Sequence, residues 1–169
     1  MEQDRALRVL EFTKIRERLA AHALTDMGKE KCLALVPYDD VSEVRRALDL
    51  ALADAAAMGF ETRNFDGYAG DVRMGPLGVE PLAILAHLDV VPAGDGWTMD
   101  PFGAQIEDGR MYGRGMSDDK GPAAAALYAM YAIRKSGLPL KREVRLILGC
   151  AEESGWECMK HYMAHCDMP

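Results

Sequence analysis

The sequence lacks several features that mark common classes of protein. Among its 169 residues, no apolar run approaches the roughly 20 residues that a membrane-spanning helix needs. The N-terminal stretch contains acidic residues and has no apolar core of the kind found in signal peptides. Positive charge is also scarce, since 20 Lys and Arg stand against 27 Asp and Glu and the formal net charge is −7. We therefore expect a cytoplasmic protein that binds neither a membrane nor a nucleic acid.

Paired cysteines are missing as well. The four cysteines show no CxxC spacing, so we interpret them as reduced thiols in a cytosolic protein; they are Cys32, Cys150, Cys158 and Cys166. No internal repeat or low-complexity linker divides the sequence. With 49% hydrophobic residues, the chain is long enough to form one ordinary domain with a substantial core.

Two patterns follow each other along the chain. Residues 5–58 are typical of helices, and Asp40 is the predicted N-cap of the last of them. From residue 60 onward the pattern is that of an α/β protein. A hairpin is predicted around the turn Asp66-Gly67, and a helix, “GPAAAALYAMYAIRKSG”, separates the apolar runs “PLAILAHLD” and “EVRLILGCA”. Strand, crossover helix and strand in this order predict a partly parallel sheet with a right-handed connection.

Polar side chains occur where these strands and the helix are predicted to meet. They are His87 and Asp89 at the end of the first run, Asp118 and Asp119 before the helix, and Glu152 and Glu153 after the second run. Five carboxylates around one imidazole repel one another unless a cation compensates them. Each pair alone is also typical of a strand end, a helix cap or a solvated corner. Their convergence at one sheet edge favours a divalent metal, and this donor set suits zinc, with manganese or cobalt as alternatives.

Three segments make a family resemblance specific. The stretches “AHLDVVPAGDGWTMDPF”, “GRMYGRGMSDDKGP” and “CAEESGW” resemble the signature segments of the co-catalytic zinc peptidases, a family that includes PepV-like dipeptidases, carnosinases and aminoacylases. The stretches “GFETRNFDGYAG” and “ESGWECMKHYMAH” are most similar to the PepV-like dipeptidases. The resemblance covers residues 44–169. It implies a zinc-peptidase catalytic domain and metal-dependent hydrolysis of dipeptides. Together with the patterns described above, we expect a partial α/β catalytic domain with a mixed, partly parallel sheet, preceded by an α-helical segment.

The resemblance also implies a role for each candidate residue. His87 resembles the ligand of the first metal, Asp118 the carboxylate that bridges two metals, and Glu153 a ligand of the second. Asp89 resembles the catalytic carboxylate that orients His87. Glu152 resembles the general base, which takes a proton from water and returns it to the leaving amine. We expect the two adjacent glutamates to lie on an extended segment and to point in opposite directions. The implied cofactor is zinc in a two-metal site, with Mn²⁺ or Co²⁺ as alternatives.

Other parts of the family's site are expected outside the sequence. Asp119 resembles the residue that follows the bridging carboxylate across a cis peptide bond. Two further ligands, an Asp and a His, and a lid domain that grips the substrate's carboxylate are expected beyond the final residues “HCDMP”. With His87, Asp118 and Glu153 as the remaining ligands, we expect a truncated catalytic domain that hydrolyses dipeptides poorly by itself. A small peptide is the expected partner, and the sequence leaves the oligomeric state open.

The N-terminal segment, residues 1–47, resembles a different family over residues 5–47. Its helical pattern with “LEF”, “MGKE” and “LVP” resembles the opening of MutS-like ATPases that lack the mismatch-reading domain, although no GxxxxGK(S/T) phosphate loop occurs. We therefore predict a boundary between this segment and a metallopeptidase domain at residues 48–169. Two alternatives stay open: a helical interaction module of a MutS-like protein, and a chimeric fragment without evolved activity.

A second set of metal-type side chains lies near the end of the chain. Cys158, His161, His165 and Cys166 share one face if this segment is helical. Such a face could hold zinc, or it could simply pack against the sheet. We favour packing.

Overall fold

The computed structural model describes residues 41–78 and 80–166 of the chain. The helices predicted before residue 41, with the N-cap at Asp40, lie outside these ranges, as does most of the segment 1–47 that resembles the MutS-like ATPases. Within the described ranges, no helix combines the length and the apolar character that crossing a membrane requires.

The described part of the chain contains three α-helices and six strands. In chain order these are helix α1 (Val41–Ala57), strands β1 (Glu61–Phe65), β2 (Ala69–Met74) and β3 (Leu82–His87), the short pair β4 (Gln105–Glu107) and β5 (Arg110–Tyr112), a π-helical turn (Met116–Lys120), helix α2 (Gly121–Ser136), strand β6 (Val144–Gly149) and helix α3 (Glu157–His165). The predicted hairpin, the two apolar strands and the helix between them are confirmed. The boundary predicted between residues 47 and 48 falls inside α1, and a division there stays a prediction.

The main sheet has the strand order β1-β2-β6-β3. Strands β1, β2 and β6 pair antiparallel, whereas β3 pairs parallel with β6, and α2 lies between β3 and β6 in the chain. The register places His87 opposite Gly149 and Gly149 opposite Ala69, so the carboxyl ends of β3 and β6 meet at one edge. This arrangement confirms the predicted α/β fold with a mixed, partly parallel sheet. It also brings together the polar groups that follow the two strands.

Helices cover both faces of the sheet. Leu146 of β6 belongs to the same buried cluster as Leu48 of α1 and Leu127 of α2, whereas the next residue, Ile147, clusters with Tyr162 of α3. This alternation follows the two-residue period of a strand. Strand β6 is therefore buried along its whole length, as expected for a strand covered on both faces.

Gly149 ends β6 at the edge where the polar groups lie. A Cβ atom at this position would come within 2.8 Å of Sγ of Cys158 in α3. The absence of a side chain therefore lets α3 pack directly against the last residue of β6. The connection between β6 and α3 begins directly after Gly149 and carries Glu152 and Glu153.

A cluster of polar and charged side chains is buried between the sheet and α3. Arg73 donates a hydrogen bond of 2.9 Å from Nε to Oδ1 of Asp71, and Arg145 donates one of 2.7 Å from Nε to Oε1 of Glu143. The hydroxyl of Tyr162 donates to Oδ2 of Asp71 at 2.9 Å. All five residues are at most 5% exposed, so each charge has the partner that burial demands. Burial also raises the pKa of Tyr162.

Candidate metal centre

His87 is the last residue of β3 and is buried. Its Nδ1 lies 3.0 Å from the backbone carbonyl oxygen of Asp89. Because a carbonyl oxygen only accepts, Nδ1 carries a hydrogen atom and donates it, which leaves Nε2 on the other side of the ring. Nε2 lies 3.0 Å from Oδ1 of Asp118 and 4.0 Å from Oε2 of Glu152. The ring is thus oriented through Nδ1 and presents Nε2 to two carboxylates.

A positive charge is needed between these groups. Ionised carboxylates only accept hydrogen bonds, so the space between them and Nε2 of His87 requires a proton or a metal ion. Without metal, the proton takes this position. The carboxylate of Asp89 beside the ring, and then that of Asp118, raise the pKa of His87 to about 9 against the opposing effect of burial. A divalent ion in place of this proton would relieve the same repulsion among the carboxylates.

Asp89 follows β3 and is 2% exposed. Its Oδ1 lies 3.4 Å from Nδ1 of His87, so the carboxylate stands beside the ring as predicted, although the backbone carbonyl of the same residue takes the hydrogen bond. Its Oδ2 accepts a hydrogen bond of 2.9 Å from the backbone N–H of Glu153. Burial alone would raise the pKa of Asp89, but His87 and the N–H groups of Glu152 and Glu153 hold it below its usual value. Asp89 is therefore ionised, and it contacts both His87 and the backbone of Glu153.

Asp118 and Asp119 lie in the π-helical turn that precedes α2. The peptide bond between them is cis, as the family resemblance implies. Asp119 accepts a hydrogen bond of 3.2 Å at Oδ2 from the backbone N–H of His87, which connects this turn to the end of β3. The side chain of Asp118 is 78% exposed and reaches Nε2 of His87 from the open side of the site. The predicted bridging ligand thus stands next to the predicted histidine ligand.

Glu152 and Glu153 lie in a turn between β6 and α3, and the prediction of an extended segment is wrong. The carbonyl oxygen of Glu152 accepts hydrogen bonds from the backbone N–H groups of Gly155 and Trp156, at 3.2 and 3.3 Å, which closes the turn. One ligand atom from each glutamate and one from His87 all lie within 4.8 Å of one another. The two carboxylates therefore approach the same point, and the prediction that they point in opposite directions is also wrong.

The donor atoms gathered here fit a divalent metal. One imidazole nitrogen and several carboxylate oxygens form a ligand set that suits zinc, and also manganese or cobalt. Desolvation and then the charge of Asp118 raise the pKa of Glu153, as expected for carboxylates that crowd together without a cation. In addition, Oδ1 of Asp89 has no hydrogen-bond partner within the described residues. Its negative charge is thus available to balance a cation bound on the far side of His87.

The cleft in front of His87 has an apolar side that the sequence analysis missed. Leu85 of β3, Trp156 of the turn and Met159 of α3 line it together with the carboxylates. Trp156 is 48% exposed although it is a large apolar residue. Leu85 is far from Trp156 and Met159 in the sequence, so only the fold brings these residues to one cleft.

The four residues predicted to share one face of α3 separate into two groups. Cys158 is buried against the sheet and Cys166 packs partly on the same cluster, which confirms the predicted packing for the thiols. His161 instead contacts Asp66 of the β1–β2 turn, and the ring of His165 stacks on that of His161. The grouping of the two histidines with the cysteines is thus wrong, and the contact of His161 with Asp66 was not predicted from the sequence.

Sequence comparisons match the chain over the region that forms this site. Residues 83–168 match the sequence model of peptidase family M20/M25/M40. The chain is 51% identical over 111 residues to YtjP of Bacillus subtilis (strain 168) and 45% identical over 120 residues to the Beta-Ala-Xaa dipeptidase of Lactobacillus delbrueckii subsp. lactis. These alignments cover 66% and 70% of the chain, but 24% and 25% of the two relatives. The chain thus spans about a quarter of the length of these curated relatives.

Solved structures resemble the chain over most of its length. Human carnosine dipeptidase 1 superposes with a TM-score of 0.73 at 23% identity, covering 90% of this chain and 37% of that one. The dipeptidase Dug1p of Saccharomyces cerevisiae superposes with a TM-score of 0.72 at 18% identity, covering 96% of this chain and 38% of that one. At these identities the likeness establishes the fold alone.

Proposed function

Because the chain belongs to peptidase family M20/M25/M40, we propose that it forms part of the catalytic domain of a metal-dependent dipeptidase. One observation supports this proposal most. Nε2 of His87 faces the carboxylates of Asp118 and Glu152 at 3.0 and 4.0 Å, and a ligand atom of Glu153 lies within 4.8 Å of those of His87 and Glu152. Such a group of donors beside an open cleft is the arrangement that metal-assisted hydrolysis requires.

His87, Asp118 and Glu153 are the residues that would hold the metal, with zinc favoured and Mn²⁺ or Co²⁺ as alternatives. When bound, the ion supplies a Lewis acid that polarises the scissile carbonyl group and lowers the pKa of water. Asp89 contacts two of these proposed ligands, His87 and Glu153, and would hold them in position. Its carboxylate lies 3.4 Å from Nδ1 of His87 and accepts the N–H of Glu153 at 2.9 Å, so one side chain positions both.

Glu152 is the proposed general base. Its side chain is 29% exposed and lines the cleft, and its Oε2 lies 4.0 Å from Nε2 of His87. From this position the carboxylate can take a proton from the attacking water and return it to the amine that leaves. Trp156 and Met159 on the apolar side of the cleft would receive a side chain of the bound peptide.

A dipeptide is the proposed substrate class, because the Lactobacillus relative, 45% identical, is named a Beta-Ala-Xaa dipeptidase. β-Alanyl dipeptides are therefore the first substrates to test. We also propose a cytoplasmic location, which the free thiols of the three described cysteines support; they are Cys150, Cys158 and Cys166. A separate role for residues 1–47, as in the MutS-like ATPases, stays a prediction.

The test compares Glu152→Gln with Glu157→Gln, which removes the same charge from an exposed glutamate of α3. Both variants are made in the chain itself and in a fusion in which the chain replaces the matching segment of the Lactobacillus dipeptidase. Release of free amine from β-alanyl dipeptides is measured with zinc or manganese present. We expect Glu157→Gln to retain the rate of the fusion, and Glu152→Gln to lose about 100-fold or more while it still binds zinc. An active fusion whose rate is unchanged by Glu152→Gln would contradict the proposal.

A further inference from the structure

A second group of ligand-type side chains lies across the sheet from His87. The register forms one row of paired residues, in which His87 pairs with Gly149, Gly149 with Ala69, and Ala69 with Phe65. The turn after Phe65 is thus at the same end of the sheet as His87 but at the opposite outer strand. Three strand spacings separate the two positions, which is roughly 14 Å. A ligand bound at this turn would be distinct from one bound at His87.

Asp66 in this turn contacts a pair of histidines on α3. Oδ2 of Asp66 lies 2.9 Å from Nε2 of His161. The rings of His161 and His165, which are four residues apart on the helix, stack with their centroids 4.1 Å apart. One ligand atom from each of these three residues lies within 4.8 Å of the other two. A small inward movement of the side chains, of which Asp66 and His165 are exposed and His161 is half-buried, would bring all three atoms to the distances of about 2.0–2.2 Å at which zinc binds nitrogen and oxygen.

Contacts with neighbouring groups orient both rings, and the orientation of His165 suits metal binding. Nδ1 of His165 lies 2.8 Å from the backbone carbonyl oxygen of His161, and because a carbonyl only accepts, Nδ1 carries the hydrogen atom. The lone pair of Nε2 of His165 is then available for a cation, as in metal sites where the second ring nitrogen donates to a carbonyl. On its other face, the ring of His161 stacks on Tyr68, with centroids 4.5 Å apart. Two oriented imidazoles therefore stand beside one carboxylate that is 74% exposed.

We propose that Asp66, His161 and His165 form a second site for a divalent transition-metal ion, independent of the centre at His87. Two imidazoles and a carboxylate with one side open to solvent bind zinc, and they bind copper more tightly. The ion would join the β1–β2 turn to α3. Because α3 follows the turn that carries Glu152 and Glu153, such a link would also restrain one side of the peptidase cleft.

The test uses the full chain with His87→Ala, so that the first centre does not contribute and the proposed peptidase function is not involved. Zinc is titrated calorimetrically and by NMR of the histidine rings. We expect one equivalent to bind and the ring signals of His161 and His165 to shift together. The sequence has one further histidine, His22, and its ring serves as an internal reference.

A matched variant tests whether zinc binding depends on the arrangement of the two histidines or only on their presence. This variant combines His165→Ala with Met163→His, and Met163 is 59% exposed. It keeps the number of histidines on α3 but places the rings at positions 161 and 163 on different sides of the helix. Zinc affinity should fall at least 10-fold in this variant and also in Asp66→Asn, which leaves the helix untouched. Equal affinity in the rearranged variant and its parent would overturn the proposal. Zinc shifts confined to His22 would overturn it as well.

Discussion

The backbone N–H of Glu153 donates a hydrogen bond of 2.9 Å to Oδ2 of Asp89. The two residues are 64 positions apart in the sequence and follow different strands of the sheet. Because the other oxygen of the same carboxylate lies 3.4 Å from Nδ1 of His87, Asp89 connects the histidine at the end of β3 to the glutamates after β6. The contact between Asp89 and His87 was predicted from the sequence, whereas the contact between Asp89 and Glu153 was not.

Replacement of this carboxylate should weaken metal binding. Asp89→Asn keeps the shape of the side chain but removes the charge that balances a cation at His87 and weakens the acceptor for Glu153. We expect the affinity for zinc to fall about 10- to 100-fold, the effect usual for a group that orients a metal ligand. Calorimetric titration measures it, with Asp95→Asn in an exposed loop as the control. Equal affinities in the two variants would show that Asp89 does not position the ligands.

The contact between Gly149 and α3 predicts a compensating pair of substitutions. Gly149→Ala places a Cβ atom 2.8 Å from Sγ of Cys158, and we expect the free energy of unfolding to fall by about 1–3 kcal/mol because neither backbone moves freely. Cys158→Ala removes the sulfur and should reduce this cost in the double variant. Urea unfolding of the four proteins gives the coupling energy. Strictly additive effects would mean that α3 does not pack on the end of β6 as described.

Tyr162 gives a prediction that depends on pH. At pH 7, Tyr162→Phe should be less stable by about 1 kcal/mol, since Asp71 loses a buried hydrogen bond. A tyrosine whose pKa is raised by burial stabilises the fold fully below its unfolded pKa of about 10, and this contribution is lost as the pH rises above that value. The difference between wild type and Tyr162→Phe should therefore shrink above about pH 10.

Urea unfolding at pH 7 and at alkaline pH measures this difference, and Tyr131→Phe, on α2 and only partly buried, is the control. The control should show a small effect at pH 7. A gap between wild type and Tyr162→Phe that stays constant above pH 10, or widens, would contradict the burial of this hydroxyl.

The fold was predictable where its signals are local. The turn Asp66-Gly67 marks the hairpin, and the apolar runs around His87 and Gly149, with a helix between them, predict the parallel pair. The turn at Glu152 was not predictable in the same way, because it includes Trp156 with φ of 65°, a conformation that tryptophan rarely adopts. Adjacent glutamates alone gave no reason to expect a closed turn.

Contacts between distant segments also escaped prediction. Asp66 and His161 are 95 positions apart, so no spacing rule connects them. Arg73 and Arg145 occupy strand positions that would face solvent in a sheet covered on one side. They are buried because α3 covers that face and supplies Tyr162 to the charged cluster. The packing of α3 on the sheet accounts for both observations.

The most direct test of the proposed metal centre is a calorimetric titration of zinc into two matched proteins. One carries His165→Ala, so that the second cluster does not contribute, and the other carries His87→Ala in addition. We predict that the first protein binds zinc through His87, Asp118 and Glu153, and that the second loses this binding or weakens it at least 10-fold. Identical isotherms for the two proteins would contradict the assignment of a metal to His87, and with it the proposed metallopeptidase chemistry of this chain.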